Sequence, residues 1–198
     1  WLKNTLESSN ATYKFIFMHH MTGGTDDYIR EGAYATPYCE WGGYNEDGIT
    51  YAFTTKRPGW GKPIHDLLVE NNVSAVFHGH DHQYAHEELD GIVYQSLPSA
   101  GFSGSGFNLY SESDAYTIRV LPSPGHLRVT VTPTQATVDY VQTSGGTVAY
   151  SYAIAGGSSG TTYDLTVAAD PPAGGSTNPA VGSHPYSEGT VATVTAAP

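Results

Sequence analysis

The length, charge and composition of the chain exclude several classes of protein. Its 198 residues include 8 Lys and Arg against 19 Asp and Glu, which gives a net charge of −11. A nucleic-acid-binding surface needs clustered cations, and the few present here are scattered along the chain. No apolar run approaches the roughly 18–20 residues of a membrane-spanning helix. Cys39 is the only cysteine, so a disulfide within the chain is excluded and a cysteine-based zinc site is disfavoured.

The first twenty residues predict a short helix and then a strand. Apolar residues at positions 1, 2 and 6 lie on one face of a helix over residues 1–9. The apolar segment 13–18 predicts a buried strand that ends in His19 and His20. The chain opens inside the predicted helix with no initiator Met and no signal-peptide pattern, so we expect a fragment or a processed product.

The middle of the chain predicts an irregular segment, a helix and a second strand. Segment 21–62 contains Gly-Gly pairs, five tyrosines and two tryptophans but no sustained period, which is typical of a long functional loop. Pro63 suits the first turn of a helix. The apolar face of that helix holds Ile64, Leu67 and Leu68. The apolar run 73–78 predicts a strand, and the helical crossover indicates that the two strands form a parallel pair with a right-handed connection.

Histidines follow both predicted strands. His19 and His20 come directly after the first strand, and the run Gly79–His82 follows the second. Because the carboxyl ends of parallel strands meet at one edge of a sheet, we expect these histidines to lie together there. In an extended segment His80 and His82 would point the same way and could share one metal cluster. Imidazole is a common ligand of zinc and similar ions.

Other residues near these motifs are given different roles. Asp81 should point away from the neighbouring histidines and act as a hydrogen-bond acceptor rather than a metal ligand. His78 precedes the glycine and is expected in the core. His86 is expected either at the surface or behind a metal ligand, where it would orient that ligand. Three further histidines are expected to be structural: His65, His126 and His184.

Beyond residue 83 the sequence turns to β patterns, followed by a linker and a tail. Candidate strands cover residues 91–97, 116–120, 127–131, 136–141 and 148–154. Several of them alternate as half-exposed antiparallel strands do. The Gly/Ser-rich run 155–162 predicts a flexible linker. The sequence therefore predicts a first domain over residues 1–154 and a partial β-repeat over residues 163–198.

Alternative motifs fit the histidines less well. The metallo-β-lactamase pattern His-x-His-x-Asp-His fails, because Asp81 and His82 come one position early. His80, His82 and Glu87 match a cupin-like single-metal spacing, His-x-His-x4-Glu, without its flanking glycines. A serine hydrolase is not favoured, because the glycine- and serine-rich run 101–106 comes near its motif by composition but predicts a loop.

The order of these motifs resembles the C-terminal half of a calcineurin-like metallophosphoesterase, with the secreted, purple-acid-phosphatase-like branch as the nearest match. The resemblance covers residues 1–154. It rests on the opening Trp-Leu-x-x-x-Leu, on a strand that ends in Met18-His19-His20, and on the run Phe77–Tyr84. It implies an α/β fold, part of a four-layer sandwich of mixed β-sheets flanked by helices, here with a small all-β C-terminal appendage.

The resemblance also implies a site that hydrolyses phosphate monoesters or diesters with two divalent or trivalent metal ions, Zn, Mn or Fe. By resemblance His19 and His80 ligate one ion, His82 ligates the other, and His20 contacts the phosphate-ester substrate. The earlier motifs of the family, Asp-x-His, Gly-Asp-x-x-Asp and Gly-Asn-His, are absent from this sequence. The chain therefore holds about half a site. No carboxylate lies at matching ligand spacing beside the histidines, so those of the aromatic segment are discounted as ligands: Asp26, Asp27 and Glu40.

The tail resembles a divergent internalin-type B-repeat. The residues concerned are Leu165–Val167, Asp170–Pro172, Gly174, Gly175, Tyr186 and Glu188–Val191. Such repeats occur on secreted and surface proteins of bacteria, so we expect an extracytoplasmic location and association with the cell surface through β-repeats. A surface binding or adhesion module with structural histidines is therefore the main alternative to the phosphoesterase.

Overall fold

A computed structural model of the protein describes residues 1–22, 30–102, 108–156, 162–169, 175–187 and 192–197. The chain divides into two units, Trp1–Gly156 and Gly157–Pro198. Within these described residues, every helix is too short or too polar to cross a membrane.

The first unit is built around a mixed five-stranded sheet. Its strands are β1 (Phe15–Met18), β2 (Ala75–His78), β3 (Tyr84–Leu89), β4 (Ile92–Ser96) and β5 (Thr117–Leu121). Their order across the sheet is β1-β2-β4-β3-β5. Strands β1, β2 and β4 are parallel, whereas β3 runs antiparallel to both β4 and β5. The predicted parallel pairing of the two histidine-bearing strands is confirmed.

Short helices cover one face of this sheet. They are α1 (Leu2–Glu7), a 3-10 helix (Gly32–Ala35), α2 (Cys39–Gly42), α3 (Phe53–Lys56) and α4 (Ile64–Glu70). Helix α4 begins directly after Pro63, whose fixed φ suits a helix start. Leu67 and Leu68 of α4 are buried against Val76 and Tyr94 of the sheet. Among its described residues, the segment predicted to be irregular contains single helical turns and isolated β-bridges that join Tyr44 to Tyr38 and Tyr51.

A three-stranded antiparallel sheet covers the other face. Its strands are β6 (Gly125–Val131), β7 (Gln135–Gln142) and β8 (Val148–Ala155), in that spatial order. Phe77 and Val93 of the mixed sheet pack against Val138 of β7. Alternate residues of β7 are buried, as the period of a half-exposed strand requires. Helices, mixed sheet and antiparallel sheet form stacked layers, which agrees with the predicted α/β class.

Strand β3 is missing from the sequence-based prediction. Two adjacent glutamates, Glu87 and Glu88, interrupt its apolar pattern. The turn into β4 consists of Asp90 and Gly91, which both have positive φ, 51° and 78°. An Asp-Gly pair in this conformation is typical of a two-residue hairpin turn. That dipeptide is the local signal by which the hairpin could have been predicted.

The second unit consists of small all-β sheets. Its strands are β9 (Thr162–Val167), β10 (Ser176–Asn178), β11 (Gly182–Ser187) and β12 (Thr195–Ala197). Strand β9 pairs antiparallel with β11, and β10 pairs antiparallel with β12. The predicted all-β appendage is present, whereas its resemblance to a B-repeat stays a prediction. Most of the predicted linker, residues 157–161, lies outside the described residues.

Removal of residues 157–198 should leave the unfolding of the first unit nearly unchanged. A Gly/Ser-rich connection transmits little packing energy from one domain to the next. We expect the thermal midpoints of residues 1–156 and of the full chain to agree within about 2 °C in differential scanning calorimetry. A much larger shift would show that the predicted domain boundary is wrong.

Candidate metal centre

The histidines that follow β1 and β2 meet at one edge of the mixed sheet. The ring centroids of His20 and His80 are 3.7 Å apart, and the ring of His19 lies 5.8 and 5.9 Å from them, respectively. Because β1 and β2 are parallel neighbours, the turns after them leave the sheet side by side. The amide of Gly79 donates a hydrogen bond of 3.1 Å to the carbonyl of His19 and joins the two turns. The structure therefore brings three of the four predicted site residues together.

The glycine between the two histidine-bearing segments permits this close approach. A Cβ atom at Gly79 would lie 2.9 Å from Nδ1 of His19. Side-chain carbons do not tolerate such a distance, so a larger residue would displace the His19 ring. Glycine is thus required here for space rather than for a special backbone conformation.

His82 lies on the same turn as His80, but the prediction that this segment is extended, with both side chains pointing the same way, is wrong. Strand β2 ends at His78, and His80 and His82 adopt left-handed conformations with φ of 72° and 55°. Left-handed residues turn the chain out of the strand, so spacing by two no longer places both side chains on one side. The carbonyl of His82 accepts a hydrogen bond of 2.9 Å from the hydroxyl of Ser123. The role of His82 as a ligand of a second metal ion stays a prediction.

The metal donors gathered at this edge are imidazoles. Across the described part of the chain, no group of three or more His, Cys, Asp or Glu side chains has the arrangement of a metal site. Glu40 pairs with Arg57, and Asp26 and Asp27 lie outside the described residues. Two ions roughly 3.5–4 Å apart need anionic ligands to offset their repulsion. The residues present therefore fit part of a two-metal centre.

A buried glutamate lies directly behind the first histidine turn. Glu31 is 1% exposed. Its carboxylate accepts hydrogen bonds from the amide of Met21 and from the hydroxyl of Thr22, the latter at 3.2 Å. Its Oε1 lies 3.6 Å from Nε2 of His20. Burial raises the pKa of Glu31, and the Met21 amide and His20 oppose that shift.

A buried aspartate holds the second histidine turn. Asp81 is 1% exposed and accepts a hydrogen bond of 3.1 Å from the amide of Glu31. The hydroxyl of Tyr110 donates a second hydrogen bond of 2.5 Å to the same carboxylate oxygen. Burial and the neighbouring Asp81 carboxylate raise the pKa of Tyr110 well above its ordinary value, so it stays a donor. Asp81 is therefore the hydrogen-bond acceptor that the sequence predicts.

A second buried charge cluster ties the segment after residue 29 to the sheet. Arg30 contacts Asp114 and, at 3.2 Å, the carboxylate of Glu87. Glu87 has no exposed surface and also accepts hydrogen bonds from the Ala33 amide at 2.9 Å and the Thr117 hydroxyl at 3.1 Å. Burial raises the pKa of Glu87, whereas the Ala33 amide and Arg30 lower it. This cluster fixes the 3-10 helix on strand β3.

The position of Glu87 bears on the cupin-like alternative. That alternative requires the Glu87 carboxylate to ligate a metal together with His80 and His82. The carboxylate is instead surrounded by Arg30 and two hydrogen-bond donors. The parallel strands of the mixed sheet also differ from an all-β barrel. The structure therefore does not support a cupin-like site.

Further histidines hold structural positions. His78 is fully buried, as predicted, and burial lowers its pKa to about 3. His86 is 3% exposed and stacks on the ring of Tyr152 with 3.9 Å between centroids. Of the two positions expected for His86, the one at the surface is wrong, because β3 directs the ring between the two sheets, whereas a position behind a metal ligand stays a prediction. His65 shares a hydrogen bond of 2.7 Å with the hydroxyl of Tyr94.

Comparison with known proteins bears on the fold. No protein-family model and no curated protein sequence matches the chain. Among solved structures, purple acid phosphatase PPD1 from yellow lupin (Lupinus luteus) seeds is 14% identical with a TM-score of 0.51, covering 78% of this chain and 27% of its own. GAP50, the anchor in the inner membrane complex of Plasmodium, is 16% identical with a TM-score of 0.41, covering 47% of this chain and 29% of its own.

The likeness to the lupin phosphatase concerns the fold. The chain has a mixed α/β architecture that resembles part of that phosphoesterase, followed by small all-β sheets. It spans less than a third of the length of either solved structure. The activity of the whole protein is therefore inferred from the site.

Proposed function

We propose that the chain is part of a secreted two-metal phosphoesterase that hydrolyses phosphate monoesters or diesters. The observation that supports this proposal best is the meeting of His19, His20 and His80 at the carboxyl edge of the sheet. Ligand sites of open α/β sheets form at this edge. The likeness of the fold to a purple acid phosphatase makes phosphate esters the substrate class that fits best.

Each histidine has a role in this proposal. His19 and His80 would hold one metal ion, and His82 would hold the other. Bound Zn, Mn or Fe ions supply polarisation of the phosphoryl group and a hydroxide nucleophile near neutral pH. The ring of His20 packs against that of His80 and would donate a hydrogen bond to a phosphate oxygen. The buried carboxylates behind the rings would keep both turns in place while substrate enters from solvent.

The 198-residue chain by itself should bind at most one divalent ion, weakly, and show negligible turnover. Neutral imidazoles do not offset the repulsion between two ions held roughly 3.5–4 Å apart. Calorimetric titration with zinc or manganese, combined with phosphate release from an aryl phosphate, measures both properties. His126→Gln, a change at an exposed histidine of β6, serves as the control. Two tight sites with turnover would show that further carboxylates, such as Asp26 or Asp27, complete the centre.

The full-length protein tests the function itself. We expect hydrolysis of an aryl phosphate that a chelator abolishes and that added zinc or manganese restores. His80→Ala should remove activity to the same extent as the chelator, whereas His126→Gln should leave it unchanged. No hydrolysis of any monoester or diester in a substrate panel would contradict the proposal.

A surface binding or adhesion module is the second candidate function. The small β-sheets of the second unit and the tail's resemblance to surface repeats favour it. Both candidates share the proposed extracytoplasmic location, which cell fractionation with an antibody against the chain would test. Binding of the full-length protein to cells in the presence of chelator, without hydrolysis, would favour the module.

A further inference from the structure

Glu31 contacts both histidine turns, once through its side chain and once through its backbone. Its carboxylate accepts hydrogen bonds from Met21 and Thr22, in the turn that follows β1. Its amide donates to Asp81, in the turn that follows β2, at 3.1 Å. Because Glu31 and Asp81 are each 1% exposed, these bonds form in a low dielectric, where each is stronger than in water.

The two contacts sit next to the rings of the candidate site. Met21 follows His20 directly, and Asp81 stands between His80 and His82. Asp81 is itself fixed by the Tyr110 hydroxyl at 2.5 Å, so it cannot rotate away from the Glu31 amide without breaking a buried bond. A displacement of Glu31 would therefore move both turns relative to each other.

We propose that Glu31 is a positioning residue that holds the two histidine turns in register, so that His20 and His80 face one ligand, a divalent cation or the phosphate ester bound to it. The class of ligand rests on the proposed function, whereas the contacts of Glu31 are a property of the chain alone. Glu31 acts through its neighbours, because its carboxylate faces the Met21 amide, the Thr22 hydroxyl and His20 rather than solvent.

The chain offers a matched control for this role. Glu87 is as buried as Glu31 and likewise accepts a backbone hydrogen bond, from the Ala33 amide. Its other partners are Arg30 and Thr117, and none of these contacts involves a histidine turn. Loss of either carboxylate should lower the free energy of unfolding, but only loss of the Glu31 carboxylate should move the histidine rings of the candidate site.

The experiment compares Glu31→Gln and Glu87→Gln in the 198-residue chain. Long-range 15N–1H spectra of the histidine rings are recorded without metal, and each variant is then titrated with zinc. We expect Glu31→Gln to shift the ring nitrogens of His20 and the amide of Met21, while Glu87→Gln leaves these signals in place. The zinc affinity should fall by about 10–100-fold in Glu31→Gln and by less than about 3-fold in Glu87→Gln.

The outcomes separate this proposal from the proposed function. Unchanged His20 and Met21 signals in Glu31→Gln would overturn it, as would an equal loss of zinc affinity in both variants. Shifted His20 signals in Glu31→Gln would support the positioning role even if the unaltered chain binds no zinc, whereas the phosphoesterase fails separately if the full-length protein hydrolyses no phosphate ester. Should Glu31→Gln fail to fold, Thr22→Val removes a single hydrogen bond, and smaller shifts of the same signals are expected. Their absence would also overturn the proposal.

Discussion

Replacement of Arg30 by methionine should lower the free energy of unfolding by about 3–5 kcal/mol. The Arg30 side chain is 10% exposed and contacts both Glu87 and Asp114. It also donates a hydrogen bond of 2.9 Å to the Leu109 carbonyl. Methionine fills similar space but leaves the fully buried Glu87 without a cation. A buried charge that loses its partner costs far more than an exposed one.

Denaturant unfolding at neutral pH measures this loss, and thermal unfolding should show a decrease of roughly 6–20 °C. Arg128→Met is the control, because Arg128 is 57% exposed and pairs with Asp139 at 2.8 Å on the surface. Such pairs contribute at most about 1 kcal/mol. Burial raises the pKa of Glu87. The loss in free energy of unfolding caused by Arg30→Met should therefore become smaller as the pH falls and the Glu87 carboxyl becomes protonated. Equal losses in the two variants would contradict the prediction.

Replacement of His86 by phenylalanine should make stability less sensitive to acid. Burial lowers the pKa of His86, and Glu88, whose Oε1 lies 3.3 Å from Nε2, opposes that shift. The unfolded chain binds a proton at this histidine near pH 6.5, whereas the folded chain binds it only at lower pH. Unfolding therefore takes up a proton in that interval. The stability contributed by neutral His86 falls with decreasing pH, by at most about 1.4 kcal/mol per pH unit.

The free energies of unfolding of the two proteins at pH 7 and pH 5.5 test this prediction. Phenylalanine retains a ring that can stack on Tyr152 but cannot take up a proton. His126→Phe, at an exposed position of β6, controls for the general effect of losing a histidine. An unchanged pH slope in His86→Phe would contradict the prediction. The charged and titratable groups around His86 are the same in both proteins: Glu88 on β3, Arg119 on β5, and Tyr150 and Tyr152 on β8.

The local pattern of apolar residues was sufficient to predict the two histidine-bearing parallel strands, β1 and β2. The apolar runs 13–18 and 73–78, joined by a helical crossover, predicted a parallel pair. The histidines at their ends were placed on a common edge by the same argument. The predicted burial is correct for β2 alone, because β1 lies at the edge of the sheet and its Phe17 is 70% exposed. Strand β3 escaped prediction because its glutamates look exposed. The burial of Glu87 depends on Arg30, which lies 57 positions earlier in the chain.

The candidate site shows the same division between sequence and tertiary structure. The sequence by itself determined which histidines could meet, since β1, β2 and the glycine between His78 and His80 are all local features. Only the tertiary structure decided that His80 and His82 are left-handed and that Glu31 lies behind His20. The hydrogen-bond partners of Glu31 lie 9, 10 and 50 positions away. No local period encodes contacts of that separation, because they exist only after the segment around Glu31 has packed on the folded sheet.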